Sequence, residues 1–283
     1  MCRILSKAAF LLCILISRVG LASPWHDVKA PSLGEANAIG SYANGCLSGA
    51  QALPLDGVGY QVIRASRERY FGHAELIDFI QDLGRKTSQL GGSDLLIGDM
   101  SMPRGGHFIS GHQSHQTGLD VDIWLLTAKQ KMDLKERESL NALNVVDLKN
   151  YRINFKRWSE EHTTLISTAA KDERVSRIFV HPVIKEALCK ETWSERDWLR
   201  KVRPWYGHTS HMHVRLTCPQ GNVDCVNQLP PPEGDGCGAE LYSWRPKAQA
   251  VKIVKSATKK NEPPKRIAKV KPQQCEALLD EKG

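Results

Sequence analysis

The sequence contains no G-x-S-x-G turn, no C-x2-C pair and no internal repeat. The first absence removes the strand-to-helix turn that exposes the nucleophilic serine of α/β-hydrolases. The second argues against a structural zinc site built from cysteines, since such sites usually draw their thiolates from closely spaced pairs. The third excludes repeat architectures. We therefore expect neither an α/β-hydrolase serine site nor a cysteine zinc site of this type.

Long hydrophobic runs are also missing, except at the N-terminus. Residues 1–7 carry basic groups, residues 8–16 are apolar, and Gly20-Leu21-Ala22 is a small-x-small sequence. This order is typical of an export signal, and the apolar run is too short to anchor the chain in a bilayer. We expect residues 1–22 to be a signal peptide that is cleaved after Ala22, which leaves the mature chain without a stable membrane anchor.

The net charge of +8 is spread unevenly. Residues 23–245 carry 26 basic and 27 acidic groups, whereas the Lys/Pro-rich residues 246–283 carry ten basic and four acidic groups. A nucleic-acid-binding domain places its basic patch on the folded part of the chain. We therefore expect no nucleic-acid partner, one domain over residues 23–245, and a basic tail over residues 246–283.

Six cysteines remain once the signal is removed: Cys46, Cys189, Cys218, Cys225, Cys237 and Cys275. An even number in an exported chain predicts three disulfides, although the sequence leaves their pairing open. The short spacing of Cys218 and Cys225 suits a local loop. Cys275 lies near the far end of the tail and is placed to tie that end back to the body.

Strand and helix patterns alternate without βαβ regularity, which predicts an α+β fold with a mainly antiparallel central sheet flanked by helices and long disulfide-tied loops. Predicted strands cover residues 60–64, 94–98, 119–125, 177–181 and 211–217. Predicted helices cover residues 73–90, 159–171 and 183–189, with a further helix opened by the capping-box pattern of residues 192–195 and ending near Pro204. Residues 23–58 are expected to be mostly irregular, and residues 127–157 to form a surface excursion.

Six of the ten histidines fall within two short windows, residues 105–125 and 207–216. They are His107, His112, His115, His208, His211 and His213. Side chains alternate faces along a strand, so Asp120 and Asp122 share one face of the first window's strand. His211, His213 and Arg215 share a face of the second. With His115, these strands provide a His/Asp/His set with an open position, which is typical of a catalytic zinc site on one face of the sheet.

These residues resemble a known group of zinc peptidases. His115-x6-Asp122 followed by His211-Met-His213 resembles the signature shared by lysostaphin, D-Ala-D-Ala peptidases and hedgehog domains. The stretches GGHFISGHQSHQTGLDVDI, IGDMSMP, DWLRKVRPW, HMHVRL and GDGCGAEL are closer still to the penicillin-insensitive murein endopeptidases. The resemblance extends over residues 24–244 and returns at QCEALLDE near the C-terminus.

The resemblance implies a ligand set. His115, Asp122 and His213 would bind Zn²⁺, and His112 would be an additional ligand of the same metal or of a second one. The mature enzyme would act in the periplasm of a Gram-negative envelope, on peptidoglycan cross-link peptides.

It also implies the chemistry. His211 would be the base or the group that stabilises the transition state, and His208 would assist at the edge of the site. The bond hydrolysed would be the D-alanyl–meso-diaminopimelyl cross-link. A D,D-carboxypeptidase acting on stem peptides and a non-catalytic zinc-containing binding module of the envelope are the alternatives, and a homodimer is left open.

The sequence allows two interpretations of several residues near these motifs. Asp120 is expected to support a ligand by hydrogen bonding rather than to bind metal itself. Trp205 suits either the substrate groove or the core. Arg104, Arg200 and Arg203 suit either substrate carboxylates or a solvated surface.

Overall fold

A computed structural model of the chain describes residues 24–109, 111–246 and 270–281. The predicted signal peptide, its cleavage site and most of the basic tail lie outside the described residues. No helix within the described ranges is long and apolar enough to cross a membrane.

The described residues form seven α-helices, fourteen strands and two 3-10 helices. The helices are α1 Pro24–Asp27, α2 Ala74–Gln89, α3 Leu134–Ser139, α4 Glu160–Lys171, α5 Pro182–Lys190, α6 Ala239–Ser243 and α7 Gln273–Asp280. The 3-10 helices are Ala65–Arg67 and Asp197–Lys201. The strands are β1 Asn37–Ser41, β2 Asn44–Ser48, β3 Gln51–Ala52, β4 Asp56–Gly57, β5 Tyr60–Val62, β6 Phe71–Gly72, β7 Asp94–Ile97, β8 Asp120–Ala128, β9 Val146–Asp147, β10 Arg152–Ile153, β11 Val175–Val180, β12 Val202–Pro204, β13 His211–Leu216 and β14 Cys225–Val226.

A seven-stranded sheet in the order β12-β11-β13-β8-β7-β5-β4 forms the centre of the fold. Its four middle strands, from β11 to β7, pair antiparallel throughout. Only the pairings of β12 with β11 and of β5 with β7 are parallel. The predicted α+β class with a mainly antiparallel central sheet is therefore confirmed.

One face of this sheet is apolar because alternate residues of its strands have apolar side chains. Val121 and Ile123 of β8 and Met212 and Val214 of β13 are all 0% exposed. The buried stripes of α2 and α4 lie in the same core, which closes that face of the sheet. The opposite face of β8 and β13 carries the acidic and histidine side chains, so the polar alternation of both strands is directed away from the helices.

Three disulfides tie the loops to this framework, as predicted. Cys46–Cys275 joins β2 to α7, and Cys189–Cys237 joins α5 to the loop before α6. Cys218–Cys225 closes the short loop between β13 and β14. The last pair is the local loop that its spacing suggested, and the first ties the C-terminal segment to the body.

Most predicted elements are present with shifts of a few residues at their ends. The helix predicted over residues 73–90 is α2, and its first residue, His73, is the N-cap that accepts a hydrogen bond from the backbone of Glu75. His181 caps α5 in the same way, with Pro182 in the first turn. Two histidines outside the two windows thus have a structural use, since an N-cap satisfies a backbone N–H that the helix leaves unpaired.

The prediction of an α-helix that opens at residues 192–195 is wrong. The chain bends there and forms the 3-10 helix Asp197–Lys201, which leads into β12. Trp193 donates a hydrogen bond back to the carbonyl of Leu188 and packs edge-on against Trp198. Because β12 must extend alongside β11, these tertiary contacts override the local capping pattern.

The expectation of mostly irregular structure over residues 23–58 is also wrong. β1 and β2 form a hairpin, and β14 adds to it as a third strand. The hairpin is rich in Asn, Gly, Ser and Ala, which have low strand propensity, so no strong alternation marks it in the sequence. Its order comes instead from distant contacts, including the disulfide to α7.

Candidate metal centre

The two histidine windows meet at the centre of the sheet. β8 and β13 are antiparallel neighbours, with His213 opposite Asp122 and Arg215 opposite Asp120. Residues directly opposite each other across two strands have side chains on the same face. The shared polar face expected from the alternation of the two strands is therefore present, and it places carboxylate beside imidazole.

His115 reaches the same point from the preceding loop. Its backbone is left-handed, with φ of 68°, a region that residues other than glycine enter at an energetic cost. The backbone N–H of His115 donates to the Asp120 carboxylate over 2.9 Å, and its Nδ1 donates to the carbonyl of Met100 over 2.7 Å. These two bonds hold the strained residue and direct its Nε2 toward Asp122.

The structure brings four of the predicted residues into one group: His112, His115, Asp122 and His213. One donor atom from each lies within 4.8 Å of the others. Asp122 Oδ1 is 3.5 Å from His115 Nε2 and 3.2 Å from His213 Nδ1. Neighbouring donors of a tetrahedral zinc with bonds of about 2.1 Å are separated by about 3.4 Å. The observed spacing fits such an ion.

Unpaired buried atoms also fit a metal at this point. Among the described residues, His115 Nε2 and Asp122 Oδ1 are buried without a hydrogen-bond partner. Buried polar atoms of native proteins are nearly always satisfied by protein, water or an ion. Both atoms border the same small volume, so a single cation would satisfy them together.

The hydrogen bonds of the two buried histidines fix which nitrogen is available to a metal. A carbonyl oxygen can only accept, so the bond to Met100 requires the proton of His115 on Nδ1 and leaves a lone pair on Nε2. His213 Nε2 lies 3.1 Å from Asp120 Oδ1 and donates to it, which leaves the lone pair on Nδ1. Both lone pairs face Asp122.

Asp120 supports both histidines from beneath the site and is 0% exposed. Besides His213 and the backbone of His115, it accepts a hydrogen bond from Arg215 Nε over 2.7 Å. Burial acts to raise the pKa of Asp120, but the charge of Arg215 and the hydrogen bond from His213 outweigh it and hold that pKa well below its usual range. The position of Asp120 suits hydrogen-bond support rather than metal binding.

His211 lies beside the group without belonging to it. Its Nε2 is buried without a hydrogen-bond partner in the described structure and lies 3.8 Å from Asp122 Oδ2. Burial lowers the pKa of His211 despite the charge of Asp122. The ring of His208 follows at 4.8 Å from that of His211, and burial lowers its pKa to about 4. Burial thus favours the neutral form of both imidazoles.

Sequence reasoning missed Asp99. This residue follows the end of β7, next to β8, and its Oδ2 lies 3.4 Å from His112 Nε2. Burial acts to raise its pKa, but His112 and Arg69 lower it to about 2. An acidic residue directly after a strand, within the IGDMSMP stretch, was the signal that could have identified it, since strand ends at a shared sheet edge lie close together.

Cavities flank the histidine–aspartate group on both sides. We call the one of about 380 Å³, which includes Phe179, Trp205, His208 and His213, the aromatic cavity. We call the other, of about 170 Å³, the arginine cavity, because Arg64 and Arg67 line it with Asp99 and His211. His112 borders both. A chain-like ligand can therefore extend past the site in two directions.

The remaining candidates lie elsewhere. His107 is exposed on the loop and is not a member of the metal-binding group. Arg104 donates to the backbone carbonyls of Leu278 and Glu281, and Arg200 to those of two prolines. Arg203 pairs with Glu240. These three arginines have structural partners, whereas Trp205 is half exposed at the aromatic cavity.

The geometry defines a candidate metal centre of the kind that metal-dependent hydrolases use, because a buried His/Asp group that could hold an ion opens on a groove with room for an extended substrate. The family model described as penicillin-insensitive murein endopeptidase matches residues 38–280. The chain belongs to this family and is a peptidase.

Curated relatives extend the similarity over almost the whole chain. A penicillin-insensitive murein endopeptidase of Escherichia coli is 47% identical over 277 residues, which cover 97% of this chain and 97% of the relative. The proteins of the same name from Pectobacterium atrosepticum and Haemophilus influenzae are 46% and 49% identical. They cover 94% and 86% of this chain, and 92% and 86% of their own lengths.

Proposed function

We propose that this protein is a zinc-dependent endopeptidase that hydrolyses D-alanyl–meso-diaminopimelyl cross-links in peptidoglycan. The observation that carries the proposal is the meeting of His115 Nε2, Asp122 Oδ1 and His213 Nδ1 around one small buried volume. Family membership supports a murein substrate, and the cleft supports a peptide that extends in both directions.

His115, Asp122 and His213 hold the zinc in this proposal, and His112 is the additional ligand nearest to solvent. Bound zinc would polarise the scissile carbonyl and lower the pKa of a water molecule to about 7. Two neutral imidazoles and one carboxylate leave a net positive charge at the centre, which favours a substrate that develops negative charge during attack.

In this proposal, His211 transfers the proton to the leaving amine. Its unpaired Nε2 faces the site, and its neutral form at pH 7 can accept a proton and pass it to the leaving amine. A positioned acid/base of this kind contributes about 10²–10⁴-fold to the rate. His208, whose ring is tilted against that of His211, would orient that ring or contact the substrate.

The two cavities favour an endopeptidase over a D,D-carboxypeptidase. Cleavage within a cross-link needs room for peptide on both sides of the scissile bond. Here the arginine cavity and the aromatic cavity both continue from the group. Retention of His211 and His208 beside the metal ligands supports catalysis rather than the non-catalytic binding module.

Export to the periplasm, with cleavage after Ala22, is part of the proposal. Three disulfides support it, because such bonds persist in oxidising compartments. We likewise propose that residues 23–245 form the peptidase domain and residues 246–283 the basic tail. The disulfide of Cys275 returns the end of that tail to β2.

Digestion of defined muropeptides tests the function. The purified protein should release monomers from cross-linked dimers and should leave the free pentapeptide intact, as followed by chromatography and mass spectrometry. The reverse preference would favour the carboxypeptidase, and binding without cleavage of either substrate would favour the non-catalytic module.

A further inference from the structure

The arginine cavity contains two cations that the hydrolytic steps above do not use. Arg64 and Arg67 line it together with Asp122 and His211. We propose that these two arginines are a carboxylate subsite, which binds the free carboxylate next to the scissile amide on its amine side. The inference rests on the proposed function and deepens it by assigning a determinant of substrate specificity.

The backbone that carries the two arginines is strained. The 3-10 helix Ala65–Arg67 is flanked by Arg64 and Glu68, each with φ of 54° in the left-handed region. Residues with a Cβ rarely adopt this conformation, and it persists only where the surrounding structure holds it. Both arginines of this short turn line the arginine cavity.

Helix α3 holds this turn in place. Glu138 accepts hydrogen bonds from the backbone N–H of Ser66 over 2.9 Å and from its hydroxyl over 2.7 Å. The backbone N–H of Arg64 donates to the carbonyl of Arg137. The surface excursion of residues 127–157 therefore includes a support for the turn, and through it for the wall of the cleft.

Arg67 retains donors for a ligand. Its side chain is 42% exposed, and its Nη1 lies 3.5 Å from Asp99 Oδ1, a long contact. Arg69 makes the closer ion pair with the same carboxylate, at 2.8 Å. Because Arg69 already balances the charge of Asp99, the guanidinium of Arg67 adds positive charge at the mouth of the cavity.

Arg64 is more firmly placed. Its guanidinium lies 4.8 Å from the centre of the Trp124 ring and donates to the carbonyl of Leu140 over 3.1 Å. A cation–π contact and a hydrogen bond together restrict the position of the guanidinium beside the cavity. Glu138, the other nearby carboxylate, has both oxygens bonded to Ser66 and leaves the arginine edges to a ligand.

The chemistry of the proposed substrate matches this arrangement. In a D-alanyl–meso-diaminopimelyl cross-link, the acylated amino group is attached to a carbon that also bears a free carboxylate. Arg64 and Arg67 both line the arginine cavity, so we place the amine side of the substrate, which carries this carboxylate, there. The planar guanidinium of arginine binds a carboxylate through two parallel, charge-assisted hydrogen bonds. The aromatic cavity is then left for the acyl side.

Substrate pairs that differ at one carboxylate test the inference. The zinc-loaded protein, Arg67→Gln and Arg67→Lys would be compared on a cross-linked dimer and on the same dimer with that carboxylate converted to a carboxamide. Arg67→Gln should lower kcat/KM on the carboxylate dimer by about 10–100-fold, mostly through KM, and should lower the value for the amidated dimer much less. Arg67→Lys should recover part of the loss, because lysine keeps the positive charge but cannot make the two parallel hydrogen bonds of a guanidinium.

Arg85→Gln is the matched control, since Arg85 lies on α2 with half of its side chain exposed and does not line the cavity. Calorimetric binding of the uncleavable tripeptide that ends in diaminopimelate provides a measurement without turnover, and Arg64→Gln and Arg67→Gln should both weaken it. Equal losses on both dimers, or unchanged tripeptide binding by both variants, would overturn the subsite. Failure of the proposed function looks different, because the unaltered protein would then cleave neither dimer.

Discussion

His211 and His213 lie two positions apart on one strand, on the same face, yet their surroundings assign them different tasks. His213 is held at Nε2 by the buried carboxylate of Asp120 and presents Nδ1 to Asp122. His211 has no such support at its Nε2 within the described residues. A histidine with a buried hydrogen-bond partner suits a metal ligand, and one without a fixed partner suits proton transfer.

Alanine at these two positions should separate the tasks. His213→Ala should lose both zinc and turnover, because it removes a donor from the buried group. His211→Ala should retain close to one zinc per protein and lose about 10²–10⁴-fold in kcat. Zinc content by mass spectrometry and monomer release from cross-linked dimers measure the two effects. Loss of zinc from His211→Ala would contradict the proposed role of His211.

At the scale of elements, the sequence predicts the parts of the fold whose order is local. The stripe of α2 and the alternation of β8 and β13 are visible in the chain itself, and so is the face on which Asp122 and His213 meet. The hairpin of β1 and β2 is not visible, because its order depends on contacts with α7 from the other end of the chain. The turn of Arg64 and Arg67 is hidden for the same reason, since Glu138 holds it from α3.

The disulfides should differ in their effect on stability according to the length of chain they close. Cys46–Cys275 spans 229 residues, and Cys218–Cys225 spans seven. Closing a longer loop removes more entropy from the unfolded chain, and loss of a native disulfide costs about 2–5 kcal/mol. Cys46→Ser with Cys275→Ser should therefore lower the free energy of unfolding more than Cys218→Ser with Cys225→Ser does. Denaturant titration measures both pairs, and an equal decrease would argue against a loop-entropy origin.

At the scale of the whole molecule, the metal should contribute to stability as well as to activity. An ion that binds the folded chain only stabilises it in proportion to the logarithm of its concentration over its Kd. A chelator should therefore abolish monomer release and lower Tm, and added zinc should restore both. His213→Ala is the control, and its Tm should not respond to the chelator. Activity that survives complete removal of metal would contradict the zinc mechanism.

Asp120 has a consequence for how the protein acquires its metal. It binds the backbone of His115, the ring of His213 and the guanidinium of Arg215 through hydrogen bonds in which no metal takes part. Under the proposed zinc mechanism, the two imidazoles would therefore keep their orientation without the ion, and rebinding would need no refolding of the polypeptide. If the proposed zinc mechanism holds, the activity of the protein should follow the supply of zinc rather than new synthesis.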